Sequence, residues 1–153
     1  MLVNLARGDW RFAVYSPENH PIEVHAAKIM EKWVGMPFGE GPTQRMSYPE
    51  VLVAEEQIGA RFGFIAPPEE APLKVEDVLD AAGEYFLRFG DEPIKRGVVI
   101  DPWNELDQLR PADLSETEYI SRVLSYVRGW ARNWKAHVWL VAHPAKQRGE
   151  EGK

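Results

Sequence analysis

Four short apolar runs are spaced along this chain, and between them lie longer stretches in which apolar residues recur every three or four positions. The runs are Trp10 to Tyr15, Arg61 to Ala66, Val98 to Ile100 and His137 to Ala142; they are rich in β-branched and aromatic residues, which predicts strands. In the segment GVVIDPWN, from Gly97 to Asn104, the run stops abruptly at Asp101. Pro102 then removes the next backbone donor, so the sheet ladder is expected to end where the carboxylate emerges. Uniformly apolar strands of this kind are buried on both faces, as in a parallel sheet.

Helical spacing fills the intervals. Ile22, Ala26, Ile29, Met30 and Trp33 follow Pro21, which suits a first helical position, and Gly35 ends the pattern. Ser47 with Glu50 is a capping-box signature for a helix through Ile58, closed by Gly59. Val75, Val78, Leu79, Ala82, Tyr85, Phe86 and Phe89 form one apolar stripe ended by Gly90. A second capping box, Ser115 with Glu118, opens a helix whose core face is expected to be Ile120, Val123, Leu124, Val127, Ala131 and Trp134. Met1 to Asp9 reads as a lead-in, Gly35 to Ser47 as a surface loop, and Gln147 to Lys153 as a short, charged, disordered tail. Strand, helix, helix, strand, helix, strand, helix, strand is the order that results. It predicts an α/β fold: a mostly parallel sheet covered by helices.

Composition narrows the function classes. A chain of 153 residues, 44% hydrophobic, has the length of one domain and the material for a core. With 18 basic and 24 acidic residues the net charge is −6, so no general basic surface points to nucleic acid. Cysteine is absent, which removes disulfides and thiolate metal sites and fits a reducing, cytoplasmic setting. No apolar run approaches the ~18 residues of a membrane span.

Three of the four runs lead into polar side chains. In an open α/β sheet ligands bind beyond the carboxyl ends of the strands, so Glu18, Asp101 and His143 are expected to converge on one crevice. An apolar strand ending in Asp101 has the form of a Walker B strand, and one hard carboxylate suffices for Mg²⁺, which keeps several waters. Glu18 either rests on a helix dipole or serves as the base that positions an attacking water. His143 either solvates its strand end or hydrogen-bonds a terminal phosphate. His20 and His25, five positions apart, do not share a helical face, which argues against zinc. Trp103, in the loop beside Asp101, is expected to pack that loop. Neither GxxxxGKS/T nor GxGxxG occurs anywhere in the 153 residues.

Taken together, VYSPEN (Val14 to Asn19), VVIDPWNEL (Val98 to Leu106), SETEYI (Ser115 to Ile120) and VWLVAHP (Val138 to Pro144) resemble the RecA-like helicase domain of replicative hexameric helicases. The Twinkle and phage primase-helicase branch of the DnaB-like group is the nearest in pattern, and the likeness runs from Leu5 to Lys146. It implies a P-loop NTPase sheet over residues 1–146, with ATP and Mg²⁺ as cofactors and single-stranded DNA as the partner of the complete protein. By the same resemblance Glu18 activates water, Asp101 holds Mg²⁺ through water, and His143 is the sensor. Lys146 and Arg148 would open a DNA-facing loop.

The family's first core strand with its phosphate loop, and its later strands with the arginine finger, have no counterpart in these residues. The resemblance therefore implies an incomplete domain, inactive alone: a fragment or split half of an ATP-dependent DNA helicase. A non-catalytic, helicase-like module that docks on a partner is the competing reading. An unrelated Mg²⁺-dependent hydrolase built on Glu18 and Asp101 is a third. If the family's missing strand lies beside Val138 to Val141, that edge is unpaired and apolar, and the isolated chain is expected to self-associate or to need the missing segments. Light scattering at high protein concentration should then report a mass above the monomer's; a clean monomer would contradict this.

Overall fold

The computed structural model describes residues 1–66 and 72–143. In chain order its elements are α1 (Leu2–Ala6), β1 (Trp10–Tyr15), α2 (Ile22–Val34), α3 (Tyr48–Gly59), β2 (Phe62–Ile65), α4 (Val75–Leu87), β3 (Lys95–Ile100), α5 (Glu116–Trp134) and β4 (Ala136–Leu140). Short 3₁₀ turns lie at Pro17–Asn19 and Trp103–Glu105. The four strands form one sheet in the order β2-β1-β3-β4, and every pairing is parallel. This is the α/β architecture that the alternating pattern predicts.

Strand parity divides the core in two. Ala13, Tyr15, Val98 and Ile100 pack with Val78, Leu79, Phe86 and Val127 under α4 and α5. Phe12, Val14, Phe62 and Val99 pack with Ile29, Met30, Ala54 and Ile58 under α2 and α3. Because the sheet is covered on both faces, its two central strands carry unbroken buried runs, Phe12 to Tyr15 and Gly97 to Ile100. Among the described residues β4 is an edge strand, paired only with β3. No helix among them is long and apolar enough to cross a membrane.

Helix starts follow the sequence signals closely. Glu50 accepts from the Ser47 amide at 2.7 Å and Glu118 from the Ser115 amide at 3.0 Å, which satisfies donors the helices leave open. Gly35 ends α2 in the left-handed conformation, φ 83°. Other expectations need correction. Met1 to Asp9 is not a simple lead-in, since Val3 and Ala6 of α1 are buried against the α2 side of the core. Gly59 is the last residue of α3 rather than its stop, and α4 ends at Leu87, with Gly90 in the turn beyond it. β4 ends at Leu140, two residues early. Ile120 and Leu124 are exposed, at 36% and 42%. The inward stripe of α5 is Val123, Val127 and Trp130, and stacking of Trp130 on Trp134 at 5.7 Å orients the helix by its largest side chains. The expected tail, Gln147 to Lys153, lies outside the described residues.

Gly97 shows how tightly the sheet is covered. A Cβ there would sit 2.5 Å from Phe12 ring carbons and 3.0 Å from the Trp139 ring. Phe12, fully buried, is itself held between Trp10 and Phe62 at 5.7 and 5.4 Å. Gly97→Ala should therefore destabilise the fold by about 1–3 kcal/mol through overpacking, read as a lower denaturant midpoint with an unchanged slope.

Candidate active site at the strand ends

All four strands finish on one level, because Ile65, Tyr15, Ile100 and Leu140 are successive register partners across the sheet. Each connection that follows therefore starts from the same edge. Beyond that row the ladder continues for a few bonds: the Asp101 amide donates to the Tyr15 carbonyl at 2.9 Å, the Val141 amide to Ile100 at 3.0 Å, and the Trp103 amide to Val141 at 2.6 Å. Pro102, fully buried after a cis peptide bond, lies between Asp101 and the Trp103 turn.

Glu18 sits in the 3₁₀ turn after β1, where the Asn19 amide donates to the Ser16 carbonyl at 3.1 Å and Asn19 Nδ2 to Ser16 Oγ at 2.8 Å. Glu18 Oε1 lies 3.6 Å from His143 Nδ1, with the two side chains 48% and 53% exposed. At that exposure the pair contributes at most about 1 kcal/mol, so its interest is positional rather than energetic. His143 is located by its backbone: its amide donates to Asn104 Oδ1 at 2.8 Å, tying the end of the β4 connection to the turn after Asp101.

Asp101 is half-buried, and its carboxylate accepts no hydrogen bond and joins no ion pair among the described residues. His25, on α2, packs edge-on against Phe64 at 5.3 Å. Burial of the imidazole holds the His25 pKa below its ordinary value, with Lys28 acting in the same direction and the Asp101 charge opposing. Trp103 packs partly buried against the α4 and α5 side of the core, as expected of a loop anchor.

Thus the structure brings Glu18 and His143 into contact and sets Asp101 on the same edge, one hydrogen-bonded turn away. His20 directly follows the 3₁₀ turn that carries Glu18, and the Asp101 charge acts on His25. His137 lies toward the opposite end of β4, its ring tilted at 46° against Trp139 with centroids 4.1 Å apart, and no group of three metal-ligating side chains occurs among the described residues. Lys146 and Arg148 lie outside them. Sequence reasoning missed Asn104 and the role of His25. His25 was legible as the residue one turn before Ile29 on the inward face of α2, whereas nothing in the sequence signals the hydrogen bond from the His143 amide to Asn104 Oδ1. A groove of about 720 Å³ between α2 and α3, walled by Val24, Met30, Phe38, Ile58 and Phe64, contains none of the three candidate residues.

No family model matches the chain. Over 157 aligned residues it is 35% identical to the Twinkle homolog protein, chloroplastic/mitochondrial, of Arabidopsis thaliana. That alignment takes in 99% of this chain and 21% of the relative, so the chain spans about a fifth of the length of the protein it matches.

The His25 environment has a pH consequence. With the folded pKa below the unfolded one, the unfolded chain binds more protons on acidification; the contribution is fully present above the unfolded value near 6.5 and is lost as pH falls toward the folded one. Stability measured by urea denaturation should therefore decline between pH 7.5 and about pH 5, and His25→Gln should flatten part of that decline. An unchanged slope in the variant would contradict the assignment.

Proposed function

We propose that this chain is part of the ATP-hydrolysing domain of a replicative DNA helicase, supplying the acid, base and sensor side of the nucleotide site in a cytoplasmic or comparable reducing compartment. The observation that carries the reading is the meeting of Glu18 and His143 at 3.6 Å on the edge where Asp101 emerges. The four motifs at these strand ends and the similarity to the Twinkle homolog support it. ATP would be the substrate, and single-stranded DNA the partner of the complete protein.

The residues present fit Mg²⁺. The Asp101 carboxylate is a hard oxygen donor, half-buried and without a protein partner among the described residues, and Mg²⁺ asks for only one or two carboxylates beside phosphate oxygens and water. When bound, the ion would neutralise charge on the phosphates. Glu18 would take a proton on a carboxylate oxygen from the attacking water. His143, fixed through its amide by Asn104, would donate to the terminal phosphate. Asn104 thus couples the acid-bearing turn to the sensor, so the two respond together.

No phosphate-loop motif occurs in the 153 residues, and in this reading the phosphate-binding amides come from another segment. The test is a chimera in which this chain replaces the matching fifth of the Arabidopsis relative. ATP hydrolysis is expected in the chimera and not in the chain alone. Glu18→Gln and Asp101→Asn should each lower kcat by about 10²-fold or more, within the range for loss of a general base or metal-holding acid. Full activity in both variants would overturn the reading.

A second reading, a docking module without catalysis, is favoured by the β4 edge that no described strand covers. An inactive chimera that still assembles with its partner segments would support it.

A further inference from the structure

The turn that carries Glu18 holds a short chain of hydrogen bonds, and the chain settles the role of one hydroxyl. Lys28 Nζ donates to Asn19 Oδ1 at 3.4 Å, and Asn19 Nδ2 donates to Ser16 Oγ at 2.8 Å. A lysine ammonium can only donate, so the amide oxygen of Asn19 faces Lys28 and its nitrogen faces Ser16. The Asn19 backbone amide, donating to the Ser16 carbonyl at 3.1 Å, holds the same two residues together. Ser16 Oγ is thereby an acceptor toward Asn19. Its own proton is left to point elsewhere, and it meets no acceptor among the described residues.

Sheet geometry gives that proton a direction. Phe12 and Val14 of β1 and Val99 of β3 pack under α2 and α3, and alternation puts Ser16 and Asp101 next on that face. The register runs on to them, because Tyr15 pairs with Ile100 and the Asp101 amide donates to the Tyr15 carbonyl at 2.9 Å. Two effects on α2 agree with this placement: Lys28 reaches the Asn19 that holds Ser16, and the Asp101 charge acts on His25. Neighbouring strands are ~4.8 Å apart, so the two side chains stand side by side. Ser16 is a half-buried donor with a free proton, and Asp101 is a half-buried carboxylate that accepts from no group among the described residues. Glu18, in the same turn, is more exposed and lies against His143.

A carboxylate that holds a metal ion is itself hydrogen-bonded as a rule, and that bond fixes which oxygen faces the ion. We propose, resting on the reading of Asp101 as the acid that holds Mg²⁺, that Ser16 is a positioning residue for Asp101. Its hydroxyl donates to one oxygen of the Asp101 carboxylate, directly or through one water, and leaves the other for the ion. Asn19 and Lys28 act one step further out, by keeping Ser16 a donor in that direction.

The test uses the chimera of this chain in the Arabidopsis relative, with ADP present, and follows Mn²⁺ binding by the electron paramagnetic resonance of the free ion. Ser16→Ala should weaken Mn²⁺ binding about tenfold, and Ser16→Thr, which keeps the hydroxyl, should recover most of that loss. In ATP hydrolysis by Ser16→Ala, the loss should fall mainly on the Mg²⁺ requirement, raised about tenfold, rather than on kcat. A fall in kcat at an unchanged Mg²⁺ requirement would assign the Ser16 proton to Glu18 and overturn the proposal. So would a loss that Ser16→Thr does not recover, or Mn²⁺ affinity that Asp101→Asn lowers and Ser16→Ala leaves intact. If Asp101→Asn itself leaves Mn²⁺ binding unchanged, the reading of Asp101 fails and the role of Ser16 fails with it.

Discussion

Everything at the candidate edge depends on the register of the parallel sheet. β1, β3 and β4 pair without a slip, so Tyr15, Ile100 and Leu140 end in one row and the three following connections leave from one level. A one-residue shift of β3 would turn Val98 and Ile100 from the α4 side to the α2 side and expose the wrong set, which is why the register is fixed by burial on both faces. The bonds past the last row, from Asp101 to Tyr15 and between Val141, Ile100 and Trp103, extend that precision into the turns. Stability and site geometry therefore have the same source.

The two ends of the sheet differ in character. At the carboxyl end, the polar groups are half-exposed and weakly coupled, as groups must be if they are to meet a substrate: the Glu18 and His143 pair is open to water, and Asp101 has no protein partner among the described residues. At the amino end, Arg11 lies over the Phe89 ring, and the Nε atoms of Arg11 and Arg96 are buried without a hydrogen-bond partner among the described residues. Desolvated donors without acceptors cost free energy.

Much of this was legible in the sequence, and the reasons are specific. Asp101 was readable because Val98 to Ile100 is uniformly apolar and Pro102 cuts the ladder; Ser47 with Glu50 and Ser115 with Glu118 marked helix starts because capping is local. The contact between Glu18 and His143 spans most of the chain and followed only from assuming a parallel sheet. What escaped was decided by tertiary packing. Trp130 set the rotation of α5 and turned Ile120 and Leu124 outward, and α1 is a helix because Val3 and Ala6 find a surface to cover. The register that sets Arg11 beside Arg96 is likewise not encoded by any local pattern. The hydrogen bond from the His143 amide to Asn104 Oδ1 depends on a rotamer and a turn that no local pattern encodes.

The most direct measurement is paramagnetic broadening by Mn²⁺, standing in for Mg²⁺, in the chimera with this chain isotopically labelled and ADP present, compared with Asp101→Asn. If the strand ends form one metal-nucleotide site, the broadening lost in the variant will centre on Ser16 to Asn19, Asp101 to Asn104 and Val141 to His143. Broadening that is unchanged by Asp101→Asn, or that centres on the α2 and α3 groove, would contradict the account.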